Sequence, residues 1–149
     1  MVLFDSCDTS YSNASIPSPD SPNNFVAPFW DDLKPSESSG VVYFLAAGRE
    51  PNRYAVVQWD AVNIYGEEKP QTFEVVLYEG SNNVVFQYLD MTGQRGTGSE
   101  ATVGLENKGG NKGVQHLYNG SPSDHALSDR LAIELEHEST SKASTHIVS

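Results

Sequence analysis

Residues 72–89 read TFEVVLYEGSNNVVFQYL. Phe73, Val75 and Leu77 fall on one face of an extended chain, and Thr72, Glu74, Val76 and Tyr78 fall on the other. That period of two belongs to a half-buried strand. Glu79-Gly80-Ser81-Asn82-Asn83 then supplies turn residues, and alternation resumes with Val84, Phe86 and Tyr88 on one side. The stretch therefore predicts a β-hairpin.

The same reading extends outward in both directions. Residues 40–46, 54–62, 101–106, 115–118 and 131–136 are further strand candidates, the last with Leu131, Ile133 and Leu135 inward. Between them lie 48–53, 93–98 and 107–113, rich in the Gly, Asn and Pro that turns require. No stretch sustains apolar spacing at i, i+3, i+4 and i+7, so no long helix is expected and a parallel sheet with crossover helices is excluded. Short strands about ten residues apart imply an all-β chain. We expect a single-domain, two-sheet antiparallel β-sandwich, jelly-roll-like, with Trp30, Trp59, Phe73, Val75, Leu77, Phe86, Val103 and Ile133 in its core. The domain should span residues 1–137. Residues 138–149, ESTSKASTHIVS, are polar and lack an aromatic, which predicts a frayed, flexible tail.

The chain has 149 residues, enough for one domain with a hydrophobic core. Its 20 acidic and 9 basic residues leave a net charge of -11, which argues against nucleic acid or an anionic membrane as partner. Cationic partners, metal ions included, stay compatible with that charge. The single cysteine, Cys7, has no intrachain disulfide partner, and a small, partly buried side chain is expected there. No apolar run approaches the roughly 20 residues of a membrane span, so membrane insertion is not expected. Met1-Val2-Leu3-Phe4 lacks the basic start and apolar length of a signal peptide.

Residues 16–33, IPSPDSPNNFVAPFWDDL, carry prolines at 17, 19, 22 and 28. Proline removes a backbone donor, so helix and central strand are excluded across most of 16–28 and an extended crossing is expected. Phe25, Val26, Phe29 and Trp30 supply an apolar cluster. Burying one Trp of about 200 Å² contributes up to about 5 kcal/mol. Asp31 and Asp32 follow at once, and an ionised carboxylate beside a buried indole needs donors or a counter-ion. A turn-stabilising role is expected first, and a cation second.

Together with SYSNASIPSPDSPNNFVAPFWDDL, the ordered segments YAVVQW (54–59), TFEVVLY (72–78), VFQY (85–88) and ATVGLEN (101–107) resemble the nidogen-like β-rich module. Such modules are appended to secreted bacterial peptidases and surface proteins. The likeness runs from about residue 2 to residue 136. It implies an extracellular or cell-surface, non-catalytic accessory or adhesion domain and brings no catalytic residues with it. Members usually carry a further strand and an Asn-Gly turn before the segment that matches Val2-Leu3-Phe4. Here the sheet would lack that strand, and an uncovered edge invites pairing. A homodimer through the N-terminal edge is expected on that ground.

Catalytic patterns are weak by comparison. His116, His125, His137 and His146 are dispersed, with no H-E-x-x-H zinc spacing. No Gly-x-Ser-x-Gly elbow occurs. Gly93-Gln94-Arg95-Gly96-Thr97-Gly98 is similar to a phosphate loop only in glycine content, and a flexible hairpin loop is the expected structure. A glycosidase-like hydrolase with paired carboxylates, Asp31 with Asp32 or Glu134 with Glu136, is the alternative to a binding module. Calcium wants six to eight oxygens. Asp31 and Asp32 are its candidate ligands, with Asp5, Asp8 and Asp20 able to converge; no other cofactor is expected. A carbohydrate or protein surface is the expected ligand, with Tyr43, Tyr65 and Tyr118 as candidate stacking faces and Trp59 better suited to the core. Asn13-Ala14-Ser15 and Asn119-Gly120-Ser121 fit the glycosylation pattern without further support.

Overall fold

The computed structural model describes residues 1–35, 40–137 and 145–148. Its strands are β1 (Val2–Leu3), β2 (Phe25–Trp30), β3 (Leu33–Lys34), β4 (Val41–Ala47), β5 (Tyr54–Ile64), β6 (Pro70–Tyr78), β7 (Val84–Met91), β8 (Thr102–Glu106), β9 (Gly113–Tyr118), β10 (Leu131–Leu135) and β11 (Thr145–Val148). They form two antiparallel sheets, a smaller one ordered β1-β2-β8-β9 and a larger one ordered β11-β10-β7-β6-β5-β3, with β4 also on β5. The expected all-β sandwich is the observed fold.

The hairpin read from residues 72–89 is β6–β7, and it sits at the centre of the larger sheet. Cross-strand partners share a face, so the register propagates one face across the sheet. Trp59 pairs with Phe73, Phe73 with Tyr88, Val75 with Phe86 and Phe86 with Ile133. All of these side chains are buried between the sheets, where they meet Val26, Phe29, Val103 and Leu117 of the smaller sheet. Trp59 stacks on Phe73 with ring centroids 4.9 Å apart. Leu77, expected in the core, is only partly buried at its margin.

Coverage by the smaller sheet stops short of β4. Val42 and Phe44 pair with Trp59 and Val57 and so lie on the core-facing side, yet they remain 42% and 71% exposed. Nothing described in the smaller sheet reaches over them.

The smaller sheet corrects the reading of residues 16–28. Phe25–Trp30 is a strand between β1 and β8, with Pro28 inside it. It tolerates the proline because the register with β8 shifts between Ala27 and Trp30, so Pro28 stands in an irregularity that needs no ladder donor. The same shift splits its side chains between two cores. Val26 and Phe29 face the larger sheet, whereas Phe25, Ala27 and Trp30 form a separate cluster with Ile16. Trp30 is therefore buried, but under the preceding segment rather than between the sheets: its indole Nε1 donates to the Ser10 carbonyl at 3.1 Å. Glu106 holds the proline-rich stretch down, accepting the Ser18 N–H at 2.6 Å. Asn23, with its amide turned to donate, lies 2.6 Å from the other Glu106 oxygen. Burial raises the Glu106 carboxyl above its ordinary range.

Three local details also differ from expectation. Gly93–Gly96 is a single helical turn, α1, rather than a flexible loop. Its Arg95 is tied to Asp31 and to the Tyr65 carbonyl, and Gly96 packs so tightly that a Cβ would stand 2.7 Å from Gln71 Oε1. Cys7 is exposed, not partly buried. Within the stretch expected to fray, Thr145–Val148 pairs antiparallel with β10, while residues 138–144 and 149 lie outside the described residues.

Candidate functional site

Five positions line up across the larger sheet on the face turned away from the core. Tyr43 pairs with Gln58, Gln58 with Glu74, Glu74 with Gln87, and Gln87 with Ala132, crossing β4, β5, β6, β7 and β10. Their strand neighbours Trp59, Phe73, Phe86 and Ile133 point into the core, so the period of two sends this row outward. Gln58 Nε2 donates to Glu74 Oε2 at 3.2 Å, which fixes the two side chains relative to each other.

A cleft of about 370 Å³ opens over Gln58, Glu74, Gln87 and Ala132 of the row, short of Tyr43, and adds Leu89, Arg130 and Leu131 to its lining. A neighbouring cleft shares Thr72, Leu89 and Arg130 and continues to Asp60, Asp90 and Asp129. The register shift between Thr72 and Phe73 explains the shape, because it inserts an extra residue in β7 and turns both Leu89 and Asp90 outward. Leu89 is 64% exposed as a result. Arg130 adopts a left-handed backbone, φ 61°, immediately before β10. Such a conformation in a non-glycine residue needs support from its surroundings. Asp129 contributes it by accepting the Met91 N–H at 2.8 Å.

Chemically the face offers paired functions. Each glutamine amide both donates and accepts, the Arg130 guanidinium donates, and the carboxylates accept. Leu89 and Tyr43 add exposed apolar area beside them.

The residues singled out from the sequence are dispersed. Asp31 accepts the Asp32 N–H at 2.7 Å and the Arg95 Nη2 at 2.6 Å through the same oxygen, the turn-stabilising role expected of it. Asp31 Oδ2 is buried with no hydrogen-bond partner among the described residues. Arg95 Nε stands 3.2 Å from Glu100 Oε2, an ion-pair distance without hydrogen-bond alignment. Asp32 accepts the Tyr65 N–H through its backbone carbonyl. Asp5 pairs with Lys108, whose hydrogen bond holds its carboxyl below the usual range, and Asp8 accepts the Ser10 N–H. Among the described residues no group of three or more His, Cys, Asp or Glu side chains is placed to hold a metal ion.

Of the three tyrosines, Tyr43 belongs to the outward row. Tyr65 follows β5 with Lys34 Nζ 5.2 Å from its ring centroid, and Tyr118 ends β9 in the other sheet. They do not form one platform. Trp59 is in the core, as expected. Glu134 accepts from Asn83 Nδ2 at 2.8 Å. His116 and His125 stack with centroids 4.5 Å apart; His116 is buried and its imidazole is pushed down, first by that burial and then by His125.

The profile of a family described as NIDO related matches residues 1–145. The chain belongs to this nidogen-related family. The comparison with curated proteins and that with solved structures each returned no match. The family accounts for the ordered strand segments read from the sequence. It does not point to the outward row of this nidogen-related chain, which the sequence reading passed over apart from Tyr43. The one signal present was polarity at alternate strand positions, Gln58, Glu74 and Gln87, and only the register shows that these adjoin.

Proposed function

We propose that this nidogen-related chain is a non-catalytic extracellular interaction module that binds a neutral polysaccharide on the outer face of its larger sheet. Membership of the nidogen-related family supports an extracellular accessory role. The observation that carries the ligand class is the outward row, whose members Gln58, Glu74 and Gln87 line a cleft together with Arg130 and Leu89 while Tyr43 continues the row on β4 beyond it. Sugar hydroxyls both donate and accept, as the glutamine amides do, and the C–H faces of a sugar ring suit exposed Leu89 and Tyr43. A chain of net charge -11 repels polyanions, so the neutral class fits best.

The test is a screen of neutral glycans followed by calorimetry on the best binder. Gln87→Ala and Tyr43→Ala should each weaken binding by about tenfold or more, the loss of one or two hydrogen bonds or one stacked face. No reducing ends should accumulate on prolonged incubation. Failure of every neutral glycan to bind, or binding indifferent to Gln87→Ala, would sink the proposal; release of reducing ends would reject its non-catalytic part.

A further inference from the structure

We infer that β4 is an interface strand, and that its occupant is β4 of a second copy of this chain paired antiparallel about Phe44. Val41–Ala47, VVYFLAA, is bonded to β5 through seven uninterrupted register pairs, and its other edge meets no strand among the described residues. Val41, Val42, Tyr43, Phe44 and Leu45 are 42–71% exposed, and Tyr54 and Tyr78 extend the apolar area at one end. Free edges in monomers are normally guarded by a charge, a proline, a bulge or extreme shortness. β4 has none of these, whereas the N-terminal edge β1 contributes only two residue pairs.

A second copy fits this edge for three reasons. The strand carries no charge, so two copies meet here without the repulsion that a net charge of -11 imposes on an average approach. Pairing about Phe44 sets Tyr43 against Leu45, Val42 against Ala46 and Val41 against Ala47 of the other copy, large against smaller at each step, as an isologous two-fold requires. The backbone groups along the free edge, unpaired among the described residues, supply main-chain hydrogen bonds to the second copy, as in strand addition, and the exposed Val42, Phe44 and Leu45 add apolar contact with their counterparts. The two larger sheets then form one continuous sheet, with both outward rows on the same face and their Tyr43 ends near the two-fold.

Sedimentation equilibrium at rising concentration should give twice the chain mass. Phe44→Glu, at an exposed position on the opposite face from the outward row, should raise the dimer dissociation constant more than about thirtyfold by burying an unpaired charge. A Cys7→Ser/Phe44→Cys double variant should form a disulfide-linked dimer on mild oxidation, because residue 44 meets its own copy at a Cα spacing of about 4.5–5.5 Å, within the reach of a disulfide. The Cys7→Ser/Tyr65→Cys control should not cross-link. A wild-type chain that stays monomeric at high micromolar concentration overturns the inference. So does a dimer that survives Phe44→Glu or that fails to cross-link in the Cys7→Ser/Phe44→Cys variant, since that dimer would use another surface.

Discussion

The Tyr88 hydroxyl, from the centre of the larger sheet, donates to the Pro28 carbonyl of the smaller sheet across 2.7 Å. Pro28 lies where the β2–β8 register slips, so its carbonyl is drawn toward the core, and a buried tyrosine from the opposite layer satisfies it. Burial also drives the Tyr88 phenol well above its ordinary range, which keeps the donor proton in place. Tyr88→Phe retains the packing but strands a buried acceptor. A loss of about 1–3 kcal/mol is expected, seen as a melting temperature lower by about 3–10 °C. An unchanged melting curve would mean the carbonyl finds another donor.

Asp31 and Arg95 form an ion pair in which the Asp31 side chain is 7% and the Arg95 side chain 18% exposed. Removing one partner from such a pair leaves a buried charge. Arg95→Met should therefore cost roughly 3–5 kcal/mol by denaturant unfolding. Asp31→Asn/Arg95→Met removes both charges while keeping an oxygen for the Asp32 N–H, and should recover part of the loss. The double-mutant cycle should show a coupling of about 1 kcal/mol or more; strict additivity would reduce the pair to two unrelated surface contacts.

Trp30 offers a different separation, between the two apolar clusters. It packs against Phe25 at 5.4 Å between ring centroids, on the side of β2 away from the sandwich interior. Trp30→Ala should destabilise by about 3–5 kcal/mol and expose the segment around Ser10 and Ile16 to limited proteolysis. Near-ultraviolet signals of Trp59, stacked on Phe73 in the other cluster, should persist until global unfolding. Loss of the Trp59 signal in Trp30→Ala at the same low denaturant that opens the segment around Ser10 and Ile16 to protease would show that the clusters are a single unit.

The central strands of the larger sheet were legible in the sequence because one face of each is buried and the other is not, whereas Leu33–Lys34 and Thr145–Val148 were not read as strands. Phe73, Val75, Phe86 and Ile133 announce their orientation through alternation alone. Phe25–Trp30 could not be read in this way: all six residues are buried, so alternation vanishes, and Pro28 argued against the strand that its bulge permits. β4 was legible as a strand but not as an exposed one, because exposure depends on where the smaller sheet stops. The outward row is a property of register between strands, and Gln58 and Gln87 stand 29 positions apart with nothing in either segment to align them. Asp31 was visible as a carboxylate needing a partner, but Arg95 lay 64 positions away in a glycine-rich segment that gave no sign of the helical turn bringing it to Asp31.

His116 and His125 predict a pH response with a defined sign. His116 Nε2 lies 3.1 Å from the His125 carbonyl, and His125 Nδ1 lies 2.8 Å from the His116 carbonyl. A carbonyl can only accept, so His116 carries its proton on Nε2 and His125 on Nδ1. His116 Nδ1 carries no proton and is buried without a partner among the described residues. A second proton there would place a cation in a buried site with no acceptor, which is why the imidazole is pushed below its ordinary value of 6.5. The unfolded chain, with an ordinary histidine, binds that proton first. Stability from this group is therefore fully present above about pH 6.5 and falls as pH drops through the lowered folded value. Glu106, pushed upward by burial, acts in the opposite sense at lower pH and cancels when two proteins sharing it are compared. Chemical unfolding of wild type and His116→Gln between about pH 7.5 and 5.5 should show the wild type losing stability more steeply. Parallel curves would mean that His116 takes up its proton in the folded chain as readily as in the unfolded one.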